Sequence, residues 1–313
     1  MARYAITGGT GFLGQALTRY LERSGHQVVI ASPSRPAGSD REWLHYNLDD
    51  LSTIDNLVCA DVSGIFHLAW STIPSTAQRN PAADVRTNLV GTVALFQALS
   101  SAPPIPLLFV SSGGTVYGHP ECLPIPEEHP LRPINAYGAG KVSAERFADL
   151  FRSTHNIDVR IARLSNPFGE GQNLSKLQGA ASVFATKILA GETISIWGDG
   201  EVVRDYIHVD DAAGGIAAIM HHRGSGHADV PIYNVGSGEG LSLNSLIKII
   251  SDKAGRSTKV EYLPARTFDV SANVLDISKI VSEVGWRPRY SATEGLQRFV
   301  AALCAGPHPA RKA

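Results

Sequence analysis

The chain has 313 residues, 43% hydrophobic and 18% charged, with a net charge of −1. That length supports one large or two intermediate domains with a substantial core, and the charge balance gives no pull toward nucleic acid. Three scattered cysteines, Cys59, Cys122 and Cys304, fit neither a disulfide framework nor a zinc site; with no secretory leader and no apolar run near the ~20 residues of a membrane span, the expectation is a cytoplasmic protein.

Ala2 to Thr7 reads as a short buried strand, followed by a glycine-rich turn, Gly8 to Gly14. Phe12 to Ser24 carries Leu13, Leu17, Tyr20 and Leu21 at helical spacing and stops at Gly25. Gln27 to Ser32 is expected as the second strand, Trp43 to Asn47 as the third and Gly64 to Trp70 as the fourth. Asn80 to Ser101 is mainly helix, Pro106 to Ser112 the fifth strand, Ala136 to His155 a helix and Ile157 to Leu164 the sixth strand. Alternation on this scale predicts an α/β fold with a doubly wound, parallel sheet of Rossmann type.

The pattern changes after Asn166-Pro167. A helix near Ala180 to Ala190, a strand at Thr193 to Trp197, the Gly198-Asp-Gly200 turn, a helix from Leu241 to Ala254 and a strand at Thr258 to Tyr262 read as a smaller unit. The expected division is a dinucleotide-binding domain over 1–165, with segments such as 204–222 returning to it. A mainly C-terminal substrate-binding domain takes 166–203 and 231–313. Ala305 to Ala313 reads as a frayed tail.

The glycine turn fits two spacings, Gly9-x-Gly11-x-x-Gly14 and Gly8-x-x-Gly11-x-x-Gly14, between a strand and a helix. In that context glycines let the backbone approach a pyrophosphate, and the helix start offers amide donors. The second strand ends in Ala31-Ser32-Pro33-Ser34-Arg35, without the carboxylate that usually meets the adenosine ribose. Arg35 suits the 2′-phosphate of NADP; alternatively Ser32 alone meets the ribose and Arg35 is a solvated charge. The reaction type favours NAD.

Tyr137 and Lys141, four apart on one helix, share a face. A phenol titrates near pH ~10, and a fixed cation beside it favours the phenolate. The pair thus makes a base for an alcohol proton. Ser111-Ser112-Gly113-Gly114-Thr115-Val116-Tyr117-Gly118 brings hydroxyls to the carboxyl edge of the sheet, where one can polarise the same oxygen. His67, His119, His208, His221 and His222 show no metal-ligand spacing, so no metal is expected.

These motifs, with Arg163 to Gly169, Trp197 to Gly200, Arg204 to Asp211 and Arg266 to Val270, resemble the extended short-chain dehydrogenase/reductases nearly end to end. The nucleotide-sugar 4-epimerase/dehydratase group, including UDP-glucose 4-epimerases, is the nearest in pattern. The resemblance implies Tyr137 as acid/base and Lys141 on the nicotinamide ribose. It implies NAD contacts at Gly8, Gly11, Phe12, Leu13, Gly14, Ser32, Arg35, Asn47, Leu48, Leu68, Ala69, Trp70, Asn88, Ser111 and Leu164. Asn166, Arg204 and Arg266 would hold the substrate diphosphate, with Asp269 on a sugar or ribose, or simply paired to Arg266.

Two departures narrow the reaction. Dehydratases and related decarboxylases carry a carboxylate in the stretch that here reads Gly113-Gly114-Thr115, so elimination of water is not expected. Many 4-epimerases have serine where Gly113 falls, so Ser112 or Thr115 must serve as both catalytic hydroxyl and substrate contact. Asn273, of intermediate size, fits an N-acetylhexosamine or a uronic acid. The expected function is a UDP-sugar 4-epimerase with bound NAD. The alternatives are an NADP-dependent reductase of a 4-keto nucleotide sugar and a non-catalytic dinucleotide sensor. A homodimer through Asn80–Ser101 and Ala136–His155 is expected.

Overall fold

A computed structural model describes residues 1–174, 179–222, 230–265 and 270–305. Its larger unit is built on seven strands: β1 (Arg3–Thr7), β2 (Gln27–Ser32), β3 (Trp43–His45), β4 (Gly64–His67), β5 (Leu107–Ser112), β6 (Val159–Leu164) and, later in the chain, β10 (Ile232–Val235). They form one sheet in the order β10-β6-β5-β4-β1-β2-β3, with every neighbouring pair parallel. The order reverses between β1 and β4, which opens a crevice above their carboxyl ends.

Alternate residues of a strand face opposite sides, and here both sides are apolar. On one side Ile6, Ile30, Phe66, Leu108 and Val110 pack under α1 (Phe12–Arg23) and α8 (Val209–His221). On the other, Ala5, Ala31, Ile65, Leu107 and Phe109 pack under α2 (Ile54–Val58), α5 (Val90–Ser100) and α6 (Ala136–His155). Two short helices, α3 (Pro74–Arg79) and α4 (Pro81–Asp84), precede α5, and a π-helical turn at Val85–Leu89 joins α4 to it.

The smaller unit gathers β7 (Asn166–Phe168), α7 (Ala180–Ala190), β8 (Ile194–Trp197), β9 (Val203–His208), β11 (Gly240–Ser242), α9 (Leu243–Ala254), β12 (Val260–Leu263), β13 (Ala272–Asn273) and α10 (Ala292–Ala305). β9 is its centre, pairing with β7, β11 and β13, while β8 pairs with β12. Phe168, Phe184, Ile188, Leu246, Leu296 and Phe299 fill a core of their own.

No element is read from the sequence over 209–221. Val209–His221 is a full helix, α8, whose start is capped by His208 accepting from the Asp210 amide. Nearly all its residues are buried, so it shows no one-sided apolar stripe, and Gly214 and Gly215 read against a helix. Gly215 is there for packing: a Cβ would lie 2.9 Å from Val235 and 3.1 Å from Trp286. Ile232–Val235, read as part of the smaller unit, instead forms β10 at the edge of the main sheet beside β6. β3 and β4 also end early, at His45 and His67, which leaves 68–70 as a loop over the crevice. No helix among the described residues is long and apolar enough to cross a membrane.

Candidate active site

The glycine turn closes onto the 68–70 loop. Gly8 has φ +69°, and a Cβ there would meet the Ala69 backbone at 3.1 Å, so only glycine fits both conformation and space. Gly11 caps α1 without any side-chain hydrogen bond, and no acidic residue occupies the first helical turn. The first amides of α1 therefore have no side-chain partner, which suits a pyrophosphate. Leu68 and Ala69, partly buried, lie against Gly8, and Trp70, also partly buried, lies against Gly140. Phe12 and Leu13, also partly buried, pack back against the sheet core.

Other expected cofactor residues lie differently. Asn88 is fully buried, accepting from the Ser71 amide and hydroxyl and donating to Thr72 and Asp84, so its amide braces the 71–72 loop. Ser32 is buried, with its hydroxyl donated to the Ser34 carbonyl and accepting from the Trp43 indole. Ser111 donates to Glu145. Leu48 and Leu164 are core residues, Asn47 ties its own turn to Thr53 and Asp49, and Arg35 is exposed. No carboxylate stands at the end of β2.

Tyr137 and Lys141 come together as expected, on the first turns of α6. Asn135 caps that helix by accepting from the Gly138 amide at 2.8 Å. Gly138 lets the helix start press on β5's following loop, since a Cβ would lie 2.6 Å from the Thr115 carbonyl. Lys141 is 3% exposed and donates to the Val110 carbonyl at 2.8 Å. Its ammonium lies 3.9 Å from the Trp70 ring centroid, 4.7 Å from that of Phe109 and 5.7 Å from that of Tyr137.

The titration of this pair departs from the sequence expectation. Burial and the nearby Asp84 carboxylate push the Tyr137 phenol up, not down. Burial lowers Lys141 to about 7, against the pull of Glu145 and Asp84. Desolvation disfavours whichever form carries charge, so burial acts against both the phenolate and the ammonium.

The hydroxyls come next. A Cβ at Gly113 would lie 2.6 Å from one Leu275 methyl, so Leu275 fills the space a serine there would need. The Gly113 carbonyl accepts from Asn273 at 3.1 Å. Thr115 keeps its hydroxyl buried and without a partner, as do Ser165 and the side-chain oxygen of Asn273. A Cβ on Gly114 would stand 3.6 Å from the Asn166 side-chain oxygen and 4.0 Å from the Ser112 hydroxyl. Ser112 and Asn166 thus face a common point, and Asn166 donates to the Asp205 carbonyl at 2.8 Å.

From Asn166 a cavity of about 370 Å³ runs into the smaller unit, lined also by Gln172, Trp197, Arg204 and Tyr206. Arg204 sits beside Asn273, its register partner across β9 and β13. Arg266 and Asp269 lie outside the described residues.

A crevice for a dinucleotide, a phenol–amine pair beside it and a polar cavity beyond agree with one family description, that of NAD-dependent epimerases and dehydratases, which matches residues 4–236. The chain belongs to the NAD-dependent epimerase/dehydratase family. It is 30% identical to a UDP-glucose 4-epimerase of Mycolicibacterium smegmatis, covering 95% of this chain and 97% of that one. It is 29% identical to a dTDP-4-dehydro-6-deoxyglucose reductase of Escherichia coli, over 95% and 96% of the two chains. Among solved structures, the UDP-glucose 4-epimerase of Thermotoga maritima with UDP-glucose superposes with a TM-score of 0.87 at 28% identity, over 96% and 97%.

Several buried polar groups around this site are not named as site residues from the sequence. Arg163 and Glu145 form a buried ion pair at 2.7 Å, each 3% exposed at the side chain. Arg163 also donates to Tyr117 and the Glu127 carbonyl, and Tyr117 donates to Asn234. Asp205, buried, accepts from Ser237, Gly238 and Leu275, and so fixes the leucine that covers Gly113. Asp84, buried beside Tyr137 and Lys141, is a third.

His67 closes the floor of the crevice. Its ring pairs with the Thr7 hydroxyl at 2.8 Å and the Thr92 hydroxyl at 3.1 Å, and Thr7 accepts from the Ala69 amide. Burial, aided by Lys141, lowers its imidazole to about 3. The unfolded chain therefore takes up a proton on His67 below its ordinary value near 6.5, while the folded chain does not. Its stabilisation is complete above pH ~6.5 and is lost as pH falls toward ~3. In urea unfolding, His67→Gln is expected to remove about 2 kcal/mol of the loss between pH ~7.5 and pH ~5. An identical pH slope in the variant would show that His67 is protonated in the fold.

Proposed function

We propose that the chain is a nucleotide-sugar 4-epimerase, with NAD as its cofactor and a UDP-linked sugar as its substrate. The observation that carries this reading is the Tyr137–Lys141 pair, the amine buried and the phenol half-buried, with no carboxylate at Gly113-Gly114-Thr115 to eliminate water. NAD, which the Gly8–Gly14 turn would hold, would supply reversible hydride acceptance at C4. The chain's own residues handle the proton and the position. Tyr137 takes the C4 hydroxyl proton and later gives it back, with Lys141 as the neighbouring cation.

Thr115, with its buried unpaired hydroxyl, and Ser112, facing Asn166, are the candidates to polarise the sugar oxygen. Asn166 and Arg204 hold the diphosphate half at the mouth of the cavity, where a forked guanidinium suits phosphate. Arg266 and Asp269 keep their roles in this reading on the sequence pattern alone. The smaller unit supplies the nucleotide grip and the larger unit the redox site. A sugar held firmly by its nucleotide and loosely by its ring could turn in its 4-keto form and present either face to the cofactor site. Asn273, with an unpaired buried oxygen, suits a hydrogen-bond donor on the sugar, such as an N-acetyl amide.

The reading includes a cytoplasmic setting, supported by three free, exposed cysteines. It also includes a homodimer formed on the outer faces of α5 and α6, where Val90 and Leu150 are exposed.

The test is purified protein supplied in turn with UDP-glucose, UDP-N-acetylglucosamine and UDP-glucuronate. At least one is expected to equilibrate with its C4 epimer without net change in cofactor redox state. Inertness toward all three, with cofactor bound, would reject the assignment. A second reading, an NADP-dependent reductase of a 4-keto nucleotide sugar, is favoured by the absence of a carboxylate after β2 and by the exposed Arg35. Stoichiometric NADPH consumption would establish it instead.

A further inference from the structure

Asp84 is the last residue of α4, just before the π-helical turn, and is 1% exposed. One carboxylate oxygen accepts from the Thr72 hydroxyl and from Asn88. The other is buried and has no partner. It lies against α6 at Gly140, within the turn that joins Tyr137 to Lys141. A Cβ on Gly140 would stand 3.1 Å from that oxygen and 3.1 Å from the Trp70 ring. Trp70 in turn lies under the Lys141 ammonium and edge-on to Tyr137, and its indole N–H is also buried and unpaired.

Taking Tyr137 as the acid/base, as above, we propose that Asp84 is a positioning residue for the catalytic pair: together with Glu145, its carboxylate is a buried counter-charge that seats Lys141 as an ammonium.

The case rests on how the neighbouring charges are compensated. A buried carboxylate with a bare oxygen is costly unless a cation shares its surroundings. The groups facing Lys141 are Glu145 on its own helix, Asp84 from α4, His67 from β4 and Tyr137. Glu145 pulls most strongly on Lys141, while its carboxylate is also held by Arg163 and Ser111. His67 is held neutral by burial. Asp84 has only neutral donors, Thr72 and Asn88, and its charge is left to act on the pair. It opposes the fall that burial imposes on Lys141, and the same charge discourages a Tyr137 phenolate. Gly140 is what allows the approach, because any side chain there would push the carboxylate away.

The test is a nuclear magnetic resonance titration of the Lys141 side chain in lysine-labelled enzyme, assigned by its loss in Lys141→Met. The wild-type amine is expected to titrate at about 7. In Asp84→Asn, which keeps shape and removes charge, the midpoint is expected to fall by about one pH unit. The alkaline limb of kcat/KM should fall with it, while a mere packing role would lower turnover and leave the limb in place. If Asp84→Asn does not fold, Gly140→Ala decides, since alanine favours the helix and its methyl displaces the carboxylate; a smaller shift in the same direction is expected. An unshifted Lys141 midpoint in the deciding variant overturns the proposal. The titration needs no sugar: a shifted midpoint in a protein inert to every nucleotide sugar would retain Asp84's role and reject the epimerase.

Discussion

Tyr137→Phe is expected to lower kcat ~10²–10⁴-fold, the range that proton transfer by a positioned side chain supplies. The aromatic body remains, so its edge-on contact with Trp70 is preserved, and only the hydroxyl is lost. Nucleotide binding should hold, because the cavity around Asn166 and Arg204 is not lined by Tyr137. The discriminating measurement is kcat beside the dissociation constant of a nucleoside diphosphate. An unchanged kcat would remove Tyr137 from the chemistry. A fall in kcat with an equal loss of nucleotide affinity would point to a disturbed fold. A dinucleotide sensor without turnover would bind its cofactor equally well with phenylalanine there.

Arg163→Met is expected to cost about 3–5 kcal/mol of stability, because it strands the Glu145 carboxylate in a site with almost no water. Both side chains are 3% exposed, and the guanidinium also holds Tyr117 and the Glu127 carbonyl. A single-domain protein has only ~5–15 kcal/mol in total, so the variant should sit close to the folding limit. Adding Glu145→Leu should return much of the loss, since the stranded charge is then gone. Urea unfolding of the two single variants and the double variant reads this directly. A double variant as unstable as the sum of the singles would mean that the two side chains contribute independently. Glu145 also lies one turn after Lys141 on α6 and opposes the fall that burial imposes on that amine.

Much of the frame was legible because it follows local rules. Glycines between a strand and a helix, and Tyr137 one turn before Lys141, need only neighbouring residues to be understood. α6 ends where the sequence suggests, with Asn156 taking the left-handed conformation after His155. What was not legible depends on partners distant along the chain. Asp84 and Glu145 are not singled out by the sequence, and their burial beside Lys141 follows only from the packing of distant elements. Asn88 and Ser32 read as cofactor contacts, yet tertiary neighbours claim their polar atoms. α8 was hidden because a helix covered on nearly every side has no polar face to mark its period. The direction of the Tyr137 shift was missed because spacing reports proximity and says nothing of desolvation.

The leucine that covers Gly113 constrains the routes by which this lineage could change. Introducing a serine at that corner requires the Leu275 methyls to move, while Asp205 holds the leucine's backbone amide in place. Laboratory evolution by single steps should therefore explore Ser112 and Thr115 before it installs an alcohol at position 113.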